Sequence, residues 1–128
     1  MREQITALVG VVILLLACKG GESTSNKPPE LTVTAKELQS EYKANEARAD
    51  AKYKGKVIQI SGRVVSIDTD LMDDPVVHLA SGELLGVSLH GLPKDVALAL
   101  NKDSSVTFVC VGGGAILGSP TLNDCRKP

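Results

Sequence analysis

Residues 57–67 read VIQISGRVVSI. Apolar residues alternate with polar ones at a period of two, the pattern of a half-buried strand. Ile58 and Ile60 share one face, whereas Val65 and Ile67 have the opposite parity beyond Gly62-Arg63. A bulge at Gly62 returns both pairs to one core face and bends the strand strongly, so a single long, bulged strand is expected here.

Upstream, Thr34-Ala35-Lys36-Glu37 has capping-box spacing, with the Thr34 hydroxyl and the Glu37 carboxylate placed to take each other's backbone N–H. Leu38, Tyr42, Asn45, Ala49 and Tyr53 then recur at steps of four and three, one stripe of a single helix. Charged Glu41, Lys43, Glu46, Arg48, Asp50 and Lys52 take the other face. Gly55 supplies a left-handed stop, with Lys52, Lys54 and Lys56 at the negative helix end.

Downstream, residues 68–75 form an Asp-rich turn. Residues 76–80 and 84–90 read as a hairpin through Ser81-Gly82-Glu83, with Val77, Leu79, Leu85, Val87 and Leu89 inward. Residues 93–100 make a short helix with Pro93 in its first turn. Residues 105–111 are a strand, a glycine-rich turn follows, and residues 117–122 are the last strand. The order is helix, bent strand, hairpin, short helix, two strands. That order indicates a mainly β chain with helices (α+β), a five-stranded OB-type Greek-key barrel preceded by an amphipathic helix. A generic small β-barrel or an open α+β sheet is the structural alternative.

The other end of the chain reads as an address. Residues 1–17, MREQITALVGVVILLLA, combine a short start carrying Arg2 with an apolar run too short to span a bilayer as a helix. The run ends Leu15-Leu16-Ala17-Cys18, which resembles the bacterial lipobox. The resemblance implies a lipoprotein signal peptide over 1–17 and a mature N-terminus at acylated, palmitate-bearing Cys18. Acyl chains on one residue anchor stably because each buried methylene contributes ~0.8 kcal/mol. Lys19, rather than Asp, follows the cysteine, which by resemblance to enteric lipoproteins implies the outer membrane, facing the periplasm. Lys19-Gly20-Gly21 and the polar residues up to Pro29 bury nothing, so residues 18–30 are the lipidated Cys and a flexible linker. The folded domain is residues 31–128.

Residues 41–46 (EYKANE), 49–56 (ADAKYKGK), 61–64 (SGRV), 109–112 (VCVG) and 122–125 (LNDC) are similar to the tRNA-anti-like OB-fold family of small bacterial envelope proteins, many of them lipoproteins. The similarity covers residues 38–125. It implies the barrel with a helix packed on its first strand, and it brings no catalytic set. Of the three cysteines, Cys18 goes to lipid, leaving Cys110 and Cys125 in an exported protein, where disulfides persist. The two read as neighbours across a hairpin and as a disulfide. The rival, a redox or metal pair, has fourteen intervening residues and no further Cys in its favour.

Few chemical constellations are present. His78 and His90 fall on the outer face of adjacent predicted strands, a conceivable metal pair, and read better as surface histidines because no third His or Cys joins them. Asp68, Asp70, Asp73 and Asp74 share one turn, which lacks the glycine and terminal Glu of an EF-hand. Residues 113–119, GGAILGS, have Ser119 where a phosphate loop needs Lys. Residues 86–90, GVSLH, end in His90 where a nucleophile elbow needs Gly. These gaps argue against an enzyme, and no cofactor is implied.

Charge argues against nucleic acid. Lys plus Arg is 14 against 15 Asp plus Glu, so the net charge is -1. Two Tyr, one Phe and no Trp make a poor base-stacking platform. Residues 64–93, where an OB barrel's binding strands lie, carry five acidic residues and no Lys or Arg. Lys36, Lys43, Arg48, Lys52, Lys54, Lys56 and Arg63 lie on the helix and first strand, interleaved with acids. The expectation is a non-catalytic binding or interaction module of the cell envelope. Its partners are the bilayer, through Cys18, and an envelope protein or small ligand at a face carrying Asp68, Asp70, Asp73, Asp74, His78 and His90. An oligonucleotide- or oligosaccharide-binding barrel is the alternative.

Overall fold

The computed structural model describes residues 26–128. The signal segment and Cys18 lie outside the described residues.

The first element is a short strand the periodicity did not announce, β1 (Leu31–Thr34), which runs parallel to the long strand, Leu31 beside Ile58 and Thr34 beside Ser61. Thr34 ends it and caps helix α1 (Ala35–Ala44) in the expected reciprocal manner. The Thr34 N–H donates to Glu37 Oε1 at 2.9 Å, and the Glu37 N–H donates to Thr34 Oγ1 at 3.1 Å. The stripe does not continue as one helix. Asn45 is extended (φ -165°, ψ 99°), closes α1 through its N–H to Glu41 O, and opens α2 (Glu46–Tyr53) by accepting the Arg48 N–H at 3.0 Å. Asn45 is therefore exposed rather than inward. Its side chain is worth more to an orphan helix N–H than to an apolar core. Leu38, Tyr42, Ala49 and Tyr53 are buried as the spacing requires.

The barrel follows as β2 (Val57–Thr69), β3 (Pro75–Leu79), β4 (Val87–His90), α3 (Lys94–Leu98), β5 (Ser105–Ile116) and β6 (Ser119–Arg126). β2 pairs antiparallel with β5 through residues 57–63 and with β3 through residues 64–69. The ring β2-β3-β4-β6-β5 closes on itself, with β4 and β6 parallel, and α3 connects β4 to β5. This is the expected five-stranded barrel with helices, and β1 is an addition to one edge of β2. Ile58, Ile60, Val64, Val77, Leu79, Val87, Leu89 and Leu122 fill its interior, with Leu38 of α1 closing the core.

Three local expectations are corrected. The bulge in β2 sits between Val64 and Ser66, not at Gly62, so Val64 keeps the parity of Ile58 and Ile60, and Ile67 packs against the core only beyond it. Gly62 serves packing instead: a Cβ there would lie 3.1 Å from Ala35 Cβ and 3.3 Å from Leu79 Cδ1. Gly112, Gly113 and Gly114 belong to β5 rather than to a turn, and the reversal comes at Leu117-Gly118. At Gly112 the carbonyl of Tyr53 occupies the space of a side chain. Finally, β4 begins at Val87, so Leu85 is 55% exposed in the 80–86 loop and does not face the core.

Cys110 on β5 and Cys125 on β6 form a disulfide, with Cα atoms 4.1 Å apart. Cys125 lies within the last strand, which runs four residues further than its hydrophobic pattern suggests.

Candidate functional site

The outward faces of β2, β3 and β4 carry a polar row whose members are set by register. His78 lies between Ser66 on one neighbour and Ser88 on the other, while Asp68 and His90 flank Val76 two residues along. Both histidines are half-buried, as expected of the outer face. Each ring nitrogen of His78 has a partner: Nδ1 stands 3.2 Å from Ser88 Oγ, and Nε2 stands 3.3 Å from Asp68 Oδ2. The Ser66 hydroxyl donates to the same Asp68 oxygen at 3.0 Å. The structure thus brings Asp68 and His78 into one chain of contacts across three strands, and places His90 on the same row.

The row contains serine, histidine and aspartate, the residue types of a nucleophilic triad. Ser88 sits mid-strand in a regular ladder with β3, not on a sharp strand-to-helix turn that would raise its hydroxyl above the sheet. Its aspartate is also half exposed rather than buried behind the ring. The chemistry this geometry offers is hydrogen bonding through hydroxyl, imidazole and carboxylate groups on the outer strand surface. Among the described residues no group of three or more His, Cys, Asp or Glu is positioned to hold a metal ion.

The acidic turn adjoins this row at the Pro75 end of β3. Asp70 is largely occupied within it: its Oδ1 accepts the N–H of Met72 at 2.8 Å and of Asp74 at 3.0 Å. Backbone bonds from Asp70 N to Asp74 O and from Asp73 N to Asp70 O close the turn, with Asp73 at φ 61°. Asp73 and Asp74 remain exposed. The apex between them and Asp70 is apolar, since Leu71 and Met72 are almost entirely solvent-exposed.

Sequence reasoning placed the aspartates and histidines on this face, and missed Ser66 and Ser88, whose only signal is shared strand parity with His78. It also missed the feature at the other end of β3. There the 80–86 loop and the β5–β6 reversal meet over α1, enclosing an open groove of about 360 Å³ lined by Gln39, Lys43, Glu83, Leu84, Leu85 and Leu117 with Gly118 and Ser119. Gln39 is buried and ties the three segments together: its Nε2 donates to Gly118 O at 2.8 Å, and its Oε1 accepts from Ser81 Oγ at 3.1 Å. Ser119 Oγ donates to Gly86 O, fixing the loops to each other. Lys43 Nζ reaches Glu83 at 2.6 Å on the rim, and that carboxylate raises the Lys43 pKa. Adjacent Leu84 and Leu85 are the signal that was available, because two neighbouring leucines in an alternating pattern cannot both face inward.

The helical pair is latched by reciprocal contacts. Tyr42 of α1 donates to Asp50 of α2 at 2.9 Å, and Tyr53 of α2 donates to Glu41 of α1. Partial burial pushes the Glu41 carboxyl up, but hydrogen bonds from Tyr53 and from Lys52 at 3.0 Å outweigh it and leave its pKa lowered.

Comparison with known proteins agrees with this architecture. The family model described as tRNA_anti-like matches residues 4–126. Among solved structures, a "putative nucleic acid-binding lipoprotein" from Klebsiella pneumoniae is similar in fold, with a TM-score of 0.59 at 18% identity over 73% of this chain and 87% of that one. No curated protein matches.

Proposed function

The chain belongs to the tRNA_anti-like family, and from that premise we propose that it is a lipid-anchored envelope protein whose OB barrel is a non-catalytic binding module. Cys18 carries the acyl anchor, and the domain faces the periplasm from the outer membrane. The ligand-facing surface is the outward face of β2, β3 and β4 with the 70–74 turn, and its occupant is an envelope protein or a small ligand. One observation carries the reading. The face expected to bind in an OB barrel presents hydrogen-bonding side chains and a preorganised acidic turn, and beyond Arg63 its residues 64–93 contribute no Lys or Arg.

Nucleic acid is the second reading, favoured by the printed name of the structurally similar Klebsiella protein. Each phosphate contact depends on a cation at the interface, and residues 64–93 contain none apart from the two histidines. The acidic face therefore weighs against it.

Cross-linking in intact cells, from a photoreactive residue placed at Met72, tests the proposal. One specific envelope protein is expected, with capture lost in a variant combining Asp73→Asn and Asp74→Lys. Asp70 is left intact because it holds the turn, and Asn tolerates the positive φ at position 73. Capture that is unchanged by these substitutions refutes the assignment of the face. A salt-sensitive mobility shift of labelled oligonucleotide refutes the exclusion of nucleic acid.

A further inference from the structure

The two ends of β3 differ in character. At the Pro75 end stands the acidic turn. At the Leu79 end, side chains from two separate loops converge: Leu84 is 100% exposed, Leu117 is 92% exposed, and Leu85 and Ile116 are more than half exposed. Beside them Lys36 and Lys43 border the adjoining hollow on α1. Clustered exposed apolar side chains mark a contact surface. Apolar side chains flanked by lysines are the composition of a surface that settles into a bilayer interface, with the apolar groups below the headgroups and the ammonium groups among them.

We infer that the groove end of the barrel rests on the bilayer that holds the Cys18 anchor. This rests on the envelope-lipoprotein reading above. Charge selects which end faces the lipid. Leu71 is as exposed as Leu84 and Met72 is 80% exposed, but Asp70, Asp73 and Asp74 surround them and an anionic headgroup layer repels that apex. At the groove end Glu83 pairs with Lys43, so Lys36, Lys43 and Glu83 together leave one positive charge there, against the three carboxylates of the apex, and the groove end is the attractive one. Chain length permits the arrangement. Lys27 is fixed to the end of β6, where its carbonyl accepts from Arg126 Nη2 at 2.8 Å. Nine residue steps separate Lys27 from Cys18, a reach of at most ~30 Å. The seven steps of β6 from Arg126 back to Ser119 at the groove span only ~23 Å. The tether can therefore run past the barrel's side and still place its acyl group beneath the groove. The acidic turn, and with it the proposed binding face, then points away from the membrane.

The absence of Trp makes the test direct. Full-length lipidated protein carrying Leu84→Trp, Leu117→Trp or, as reference, Leu71→Trp is reconstituted into phosphatidylethanolamine–phosphatidylglycerol vesicles with or without brominated acyl chains. Vesicle flotation reports the anchor, and quenching reports the face. The expected result is flotation of all three, with at least about twofold bromolipid quenching at positions 84 and 117 and none at position 71. Flotation with no quenching at 84 and 117 overturns this inference and leaves the anchor standing. Blue-shifted but unquenched emission that grows with protein density also overturns it, since a second copy then covers the leucines. Failure to float overturns the lipoprotein reading and this inference together.

Discussion

Gly112→Ala is expected to be among the most damaging single-methyl changes available in the domain. A Cβ at position 112 would lie 2.8 Å from the carbonyl carbon of Tyr53 and closer still to its oxygen. That carbonyl cannot swing aside cheaply. Tyr53 is 2% exposed, and the segment after it is stapled to β5 by Gly55 N to Gly112 O and Gly112 N to Lys56 O, both 2.9 Å. Relief of the clash means parting α2 from β5. Losing the two hydrogen bonds costs about 1 kcal/mol each, and overpacking strain adds about 1–3 kcal/mol. The sum, roughly 3–5 kcal/mol, lowers the melting temperature of a domain of this size by about 15 °C or more. Gly118→Ala is the control. Nothing lies within 4 Å of its Cβ, and only the positive φ of 79° opposes it, at about 1–2 kcal/mol. Thermal unfolding followed by circular dichroism compares the two. Equal melting temperatures for Gly112→Ala and Gly118→Ala refute the argument that close backbone approach, rather than turn conformation, fixes glycine at position 112.

Replacing both Cys110 and Cys125 by Ser removes a cross-link over 15 residues, and urea unfolding is expected to show a loss of about 3 kcal/mol; a midpoint unchanged from the oxidised protein contradicts it. Because the Glu41 carboxyl titrates below its ordinary value of 4.5, its contribution is fully present above that pH and is lost as pH falls through the folded value. Melting temperatures of Glu41→Gln should accordingly converge on those of the wild type below pH 4.5 and fall short of them at pH 7. Asn45→Ala strips the N-cap of α2 and is expected to cost about 1 kcal/mol although the site is exposed. Asp70→Ala leaves the N–H groups of Met72 and Asp74 without their acceptor, so hydrogen exchange should speed up at those two amides while Val77 and Leu79 stay protected.

Much of the barrel was legible because its signals are local. Thr34 and Glu37 announce a helix start through their own side chains, and Ile58, Ile60, Val77 and Leu79 announce strands by parity. What escaped depends on partners distant in sequence. Gly62 reads as a bulge until Ala35 and Leu79 are seen against it, and the bulge falls instead where β2 passes from β5 to β3. The three glycines from Gly112 read as a turn, since nothing near them reveals Tyr53 overhead. β1 is too short for a period and exists because β2 offers an unpaired edge to it. On the candidate face the acidic and histidine positions were visible in the sequence, whereas the serines that complete the row around His78 become visible only through the register of β2 and β4.

The way the ring closes has a bearing on how the polypeptide can be divided. β2, β3 and β4 form a meander in one half of the chain, and β5 and β6 form a disulfide-bridged hairpin in the other. The strands of the two halves pair along two lines, the long β2–β5 ladder and a parallel β4–β6 seam of two register pairs, Ser88 with Thr121 and Leu89 with Leu122, while Gln39 of α1 and the segment after α2 add hydrogen bonds to the hairpin. Their covalent link is the stretch containing α3, whose Lys94, Asp95 and Leu98 are exposed. A nick in α3 therefore severs no ladder. The two fragments carry complementary halves of one core, so a chain nicked there is expected to stay together as a two-part barrel.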